Sequence, residues 1–329
     1  MSAIAEYIQR LHKTTPRVYE RDIVPFRCPC AYETLKGVRA VIFDIYGTMV
    51  NYWRPGFEDK NRRDELLQQA FADVADMFGM NDALSGINPH DPPARTLKDF
   101  YNGLLALAHQ KSADKNVEFS EIRVEEVWTV IAMILKRNGY DVNAHLPSGV
   151  PASVSASDFA KYLAATYNYF GMGRTLYPGV TSALKKLKNE NIVLGILSDA
   201  QFYTPIDLTL YLRDQSDGKV DDYNDLFDAG LSFFSYEHGF VKPAETLFRR
   251  LADALNRHHI TPAQTVFVGN DFNADIRPAA AAGMRTALFC GDDKMVFGKD
   301  ENIGDIVPDI VFEDWELLPQ LISFYGEEG

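Results

Sequence analysis

The chain has 329 residues, 46% of them hydrophobic and 24% charged, and its 33 basic side chains face 46 acidic ones for a net charge of −13. That length suits two modest domains or one large domain with an insertion, and the apolar share can fill a sizeable core, so disorder is not the default. The acidic surplus repels a phosphate backbone and no basic block interleaved with aromatics occurs, which excludes nucleic acid as a general partner while leaving room for one small anion.

Three cysteines, Cys28, Cys30 and Cys290, are too few and too closely spaced at Cys28-Pro29-Cys30 to form a zinc half-site or a redox pair. The first 22 residues lack the apolar stretch of a signal peptide, and the longest apolar run, Val130 to Leu135, is far short of a membrane span. A cytoplasmic protein with reduced thiols and no membrane contact is expected.

Residues 1–37 are expected to form an extension over the main domain, opening with Ile4, Tyr7, Ile8 and Leu11 at helical spacing and broken by Pro16, Pro25 and Pro29. Arg39 to Asp44 reads as a short buried strand that ends on a carboxylate and enters a turn at Gly47. From about 57 to 172 the apolar period becomes helical. Leu66, Ala70, Val74 and Phe78 mark one helix stopped by Gly79, and Leu97, Phe100, Tyr101, Leu104, Leu105 and Ala108 mark a second after Pro92-Pro93. Val124, Val127, Trp128, Ile131 and Leu135 mark a third, Phe159, Leu163, Thr166 and Phe170 a fourth, and 140–157 a loop between these two. After Pro178-Gly179 strands and helices alternate, with strands at 192–197, near 229–234, at 265–268 and at 286–289. Alternation of that kind means βαβ units and a parallel sheet. The expected fold is a doubly wound α/β core, 38–55 and 173–329, interrupted after its first strand by a helical domain, 56–172.

In open parallel sheets, ligands and reactive groups gather at the carboxyl ends of strands. The polar residues found there are Asp44, Ser198 and the set Asn270, Asp271 and Asp275, joined by Lys242 from a loop. A carboxylate nucleophile, a hydroxyl, a lysine and a carboxylate pair suit a Mg²⁺-dependent attack on an anionic centre. Asp44, Asp271 and Asp275 against Lys242 leave an excess of negative charge that a cation would relieve.

The order and spacing of these residues resemble the haloacid dehalogenase-like hydrolase superfamily. The motifs are Asp44-Ile45-Tyr46-Gly47-Thr48, Ser198, Lys242-Pro243 and Gly269-Asn270-Asp271 followed by Asp275, and the helical block lies where members insert a cap. The resemblance covers roughly residues 40–290 and implies a covalent aspartyl intermediate at Asp44. It also implies that Ser198 contacts the transferred group, Lys242 neutralises charge, and Gly47 admits the substrate to the backbone, with Thr48 and Asp199 beside it. Mg²⁺ would sit among Asp44, the Tyr46 backbone carbonyl, Asp275, and either Asn270 or Asp271 according to whether four or three residues separate the pair. The site is expected in the cleft between core and cap, with a small phosphorylated metabolite as substrate.

Two departures matter. Tyr46 stands where family phosphatases carry the aspartate that protonates the leaving group, and a phenol is a poor acid–base catalyst at neutral pH. The Asp-x-Tyr-Gly-Thr variant characterises the 2-haloacid dehalogenase branch, which uses no metal, and Arg54, Arg62 and Arg63 are its nearest candidates for a halide cradle here. Dehalogenation is therefore the alternative reaction, and a family-fold protein that binds without turnover is a third reading. Trp128, Tyr162, Tyr167, Tyr169 and Phe170 could line a pocket or fill a core.

Overall fold

The computed structural model describes residues 2–14, 23–27, 34–52, 56–114, 119–172, 174–299 and 307–324. Cys28, Cys30, Pro16, Pro29 and Arg54 lie outside the described residues. The chain divides into two compact units, residues 1–19 with 53–174, and residues 20–52 with 175–329.

The first unit is helical. It comprises α1 (Ala3–Thr14), α2 (Lys60–Met77), α3 (Asn81–Ile87), α4 (Pro93–Asp114), α5 (Val124–Arg137) and α6 (Ala156–Gly171). Asp59 starts α2 by accepting the Arg62 amide at 2.8 Å, and Ser155 starts α6 by accepting that of Asp158 at 3.0 Å, so each side chain satisfies a donor that the first turn leaves open. Phe71, Tyr101, Trp128 and Tyr167 pack on one another with ring centroids 4.4 to 6.2 Å apart. Trp128, Tyr162 and Tyr169 are buried, so these aromatics are core and do not line an open pocket. The first helix packs on this unit. Tyr7 reaches Thr166 of α6 at 2.6 Å and meets Tyr162 edge-on, because α1 offers a complete apolar stripe of Ala5, Tyr7, Ile8 and Leu11, which a helix buries wherever a matching face is open. It therefore groups with the helical unit. Arg62 and Arg63 lie on the solvent side of α2, where Arg62 pairs with Glu65 at 2.9 Å.

The second unit is built on a six-stranded parallel sheet. In chain order its strands are β1 (Leu35–Val38), β2 (Ala40–Phe43), β3 (Val50–Asn51), β4 (Thr175–Leu176), β5 (Val193–Ser198), β6 (Ser232–Phe234), β7 (Thr265–Gly269), β8 (Arg285–Phe289), β9 (Ile310–Phe312) and β10 (Ile322–Phe324). The main sheet runs β6-β5-β2-β7-β8-β9, while β3 pairs with β4 and β1 with β10 in two small ladders. Its helices are α7 (Val180–Asn189), α8 (Thr204–Gln215), α9 (Ser235–His238), α10 (Glu245–Arg257), α11 (Arg277–Ala281) and α12 (Leu318–Leu321). Side chains alternate across each strand. Val41 and Phe43 join Leu184 and Leu187 of α7 and Leu208 and Leu212 of α8 on one face, and Ala40 and Ile42 join Leu247, Leu251 and Leu255 of α10 on the other. Two covered faces explain why β2 reads as an unbroken apolar run. The strand order reverses between β2 and β7, and the carboxyl ends of strands at such a point form a crevice.

The sequence places a strand near 229–234, whereas 229–231 form a 3₁₀ turn and the strand is 232–234. The short strands β1, β3, β4, β9 and β10 and the helix α3 carry too few residues for a period to register.

Candidate active site

The crevice at the reversal point gathers residues from four separated stretches. Asp44 follows β2, which is paired on both sides, to Val193–Ile196 and to Thr265–Val268, and its own amide extends the ladder to the Val268 carbonyl at 2.9 Å. Rigid backbone on both flanks fixes where its carboxylate stands. Gly47 then turns the chain at φ +86, and a β-carbon there would come within 2.4 Å of the Asn270 amide nitrogen. Glycine is needed at this position both for the left-handed backbone and for the close approach.

Lys242, from the loop between α9 and α10, bridges two carboxylates, with Nζ 2.6 Å from Asp44 Oδ1 and 2.5 Å from Asp275 Oδ1. All three side chains are buried. Ser198, the last residue of β5, donates to Asp44 Oδ1 at 2.9 Å and accepts the Ile45 amide at 3.3 Å. Asp44 Oδ1 thus takes the ammonium and the serine hydroxyl, while Oδ2 has Thr48 Oγ1 at 3.2 Å. Thr48 lies closer, at 2.7 Å, to Asn270 Oδ1, and the Asn270 amide nitrogen donates to the Met295 carbonyl. Asp275 Oδ2 accepts the backbone amides of Asn270 and Asp271, each at 3.1 Å. That approach depends on Gly269, where a β-carbon would stand 2.4 Å from Asp275 Oδ2. Asp199 Oδ1 accepts the Lys242 amide at 2.8 Å and so ties the lysine loop to the end of β5. The Tyr46 hydroxyl lies 2.9 Å from Thr204 Oγ1, and its ring meets Tyr52 edge-on.

The register of the last motif follows from a single turn of π-helix, Phe272–Ile276, which inserts one extra residue and sends the Ile276 amide back to the Asp271 carbonyl. Asn270 faces Thr48 and Gly47, whereas the Asp271 carboxylate caps this turn by accepting the Asn273 and Ala274 amides at 2.7 and 2.9 Å.

Burial acts to strip the Lys242 ammonium of its proton, but Asp275, Asp44 and Asp199 outweigh it and raise its pKa, so it is charged. Burial lifts the Asp275 carboxyl above the ordinary carboxylate range; Lys242 opposes this and Asp44 reinforces it. Burial likewise lifts Asp199, again against Lys242.

A divalent cation was expected among Asp44, Asp271 and Asp275, with Asn270 as a substitute ligand. Mg²⁺ demands octahedral oxygen donors. Here Asp275 spends both oxygens on Lys242 and backbone amides, Asp271 is a cap, and Asn270 offers a neutral oxygen already held by Thr48. Among the described residues no three His, Cys, Asp or Glu side chains are arranged to hold a metal ion. The Lys242 ammonium, standing where the Asp44 and Asp275 carboxylates converge, supplies positive charge at the place where the sequence called for a cation.

Thr204 and Met295 escaped the sequence reading. Met295 acts through its backbone carbonyl, which no side-chain pattern reports. Thr204 carried a signal, being a hydroxyl at the start of the helix that follows Ser198, but such a residue reads first as a cap.

A parallel sheet reversing beside a buried Asp–Lys–Asp clamp defines an α/β protein with its reactive groups on the strand ends. The family model for haloacid dehalogenase-like hydrolases matches residues 38–283, and the chain belongs to that family. A comparison with curated proteins found no match. Among solved structures, the 2-haloacid dehalogenase from Pseudomonas syringae pv. Tomato DC3000 gives a TM-score of 0.51 at 17% identity, covering 86% of this chain and 97% of that one. The putative HAD-hydrolase YfnB from Bacillus subtilis, bound to magnesium, gives 0.43 at 17% identity over 86% of this chain and 98% of that one. A HAD phosphatase from Thermococcus onnurineus gives 0.43 at 15% identity, covering 86% and 97%. At 17% identity the first of these is a likeness of fold alone. No helix among the described residues is long and apolar enough to cross a membrane.

Proposed function

We propose that this hydrolase forms a covalent ester at Asp44 by displacing a leaving group that departs as an anion, with a 2-haloacid-type substrate and without a divalent cation. The observation that supports this most is the Lys242 ammonium lodged between Asp44 and Asp275, which balances charge at the nucleophile without a metal. In the first step an Asp44 oxygen bonds to the halogen-bearing carbon as the carbon–halogen bond breaks, and halide leaves with the bonding pair. No proton is required, which suits a site where Tyr46 replaces a carboxylic acid and is hydrogen-bonded to Thr204. In the second step water adds to the Asp44 carbonyl carbon, and the ester opens to give the hydroxy acid and the free carboxylate. One proton is released per turnover. Lys242 and Ser198, 2.6 and 2.9 Å from Asp44 Oδ1, are placed to stabilise the oxyanion formed as water adds.

Magnesium-dependent phosphohydrolysis is the second reading. It is favoured by one observation, the excess of carboxylates at Asp44, Asp199 and Asp275 over the Lys242 ammonium.

The test is bromide release from 2-bromopropionate in the presence of EDTA, expected in the wild type and abolished in Asp44→Asn. Phosphate release from aryl or acetyl phosphate that requires Mg²⁺, with no bromide release, would replace this reading by the second.

A further inference from the structure

The geometry points to Asn270 as a positioning residue that keeps one oxygen of Asp44 unencumbered for attack, by drawing the Thr48 hydroxyl proton onto its own side-chain carbonyl. This rests on the proposal that Asp44 is the nucleophile. Thr48 is fully buried between two acceptors, Asn270 Oδ1 at 2.7 Å and Asp44 Oδ2 at 3.2 Å. A hydroxyl has one proton to give, and the shorter contact takes it. Asp44 Oδ1 is already engaged by Lys242 and Ser198, so Oδ2 keeps the more available lone pairs and is the oxygen that bonds to carbon as halide leaves.

The orientation of the Asn270 amide is imposed from the other side. The Met295 carbonyl can only accept, so the atom facing it must be the amide nitrogen, which turns Oδ1 toward Thr48. The Met295 segment is itself held against Asn270, whose backbone carbonyl accepts the Phe297 amide at 3.1 Å. An aspartate at 270 would set a carboxylate oxygen against the Met295 carbonyl. An amide is what both neighbours require.

In Asn270→Ala the Thr48 hydroxyl has Asp44 Oδ2 as its remaining acceptor and turns onto it. A hydrogen bond to the attacking oxygen stabilises the ground-state carboxylate more than the ester, so attack slows. The expected loss is about 10- to 100-fold in the single-turnover rate of bromide release from 2-bromopropionate, the range set by one hydrogen bond to a charged group, with KM unchanged. Asn270→Ala combined with Thr48→Val removes the misdirected donor and is expected to recover most of that rate. A residue that only holds the fold together gives the opposite pattern, a double variant no faster than the single one. Equal slowing in both variants, or no slowing in Asn270→Ala, overturns the inference. A crystal structure of Asn270→Ala supplies a reading independent of substrate, and it decides the matter if the wild type releases no bromide and the functional proposal fails. Thr48 Oγ1 closing on Asp44 Oδ2 from 3.2 Å to hydrogen-bonding distance supports the inference, and an unmoved hydroxyl overturns it.

Discussion

Replacing Lys242 by methionine removes the charge that Asp44 and Asp275 share while keeping much of the side-chain volume. Both carboxylates are buried, with side chains 5% and 1% exposed, and their contacts to the ammonium are 2.6 and 2.5 Å, so neither can recover water as its counter-charge is lost. Removing one partner of a buried ion pair costs about 3 to 5 kcal/mol, and here a single ammonium serves two anions, which places the expected loss at the upper end of that range. The loss depends on pH with a definite sign. Asp275 already titrates above the ordinary carboxylate range because of burial, so the folded protein binds a proton there that the unfolded chain has released. Without Lys242 to oppose that lift, the variant holds the proton more tightly still. Stability of Lys242→Met therefore falls as pH rises above the unfolded carboxylate pKa of about 4, and the gap to the wild type is wider at pH 8 than at pH 5. Urea unfolding of both proteins at the two pH values measures it. A loss below about 1 kcal/mol, or an equal loss at both pH values, would show that the clamp does not carry the charge balance of the site.

Two other substitutions test neighbouring parts of the geometry. Gly47→Ala forces the Asn270 amide aside from a contact of 2.4 Å at a backbone φ of +86, and turnover is expected to fall about 100-fold, readable as bromide release alongside a thermal melt. Asp199→Asn keeps an oxygen to accept the Lys242 amide but removes a carboxyl that burial lifts; the wild type loses stability as pH climbs past the unfolded carboxylate range, so the variant's relative stability should rise over the same interval in urea titrations. A flat difference between the two proteins would mean that Asp199 is solvated.

The core was legible because β2, β5 and β7 are buried on both faces and so carry unbroken apolar runs, and because Asp44, Ser198 and Lys242 follow their elements in order. The long helices were legible from periodicity and from stops such as Gly79 and Gly139, both at positive φ. What escaped depends on contacts distant in sequence. The stripe of α1 fits a helix more than 150 residues on, and nothing local says which face will receive it. The choice between Asn270 and Asp271 turns on one extra residue in the helical turn that follows, a matter of hydrogen-bond register that composition does not encode. Tyr46 was legible as a departure from the motif of family phosphatases, whereas the spending of both Asp275 oxygens on an ammonium and two amides emerged only in three dimensions.

The pairing of β2 also bears on how the protein is made. Ala40 finds its neighbours at Val193 and Thr265, which follow the helical segment in the sequence. As the chain leaves the ribosome, a fully apolar strand emerges first and waits for both flanks while the contiguous helices from α2 to α6 are synthesised and can pack among themselves. Throughout that interval it presents unpaired backbone groups and exposed hydrophobic side chains, the properties that invite association with other nascent chains or capture by a chaperone. The central position that brackets Asp44 in the finished fold thus leaves its strand without either neighbour until late in synthesis.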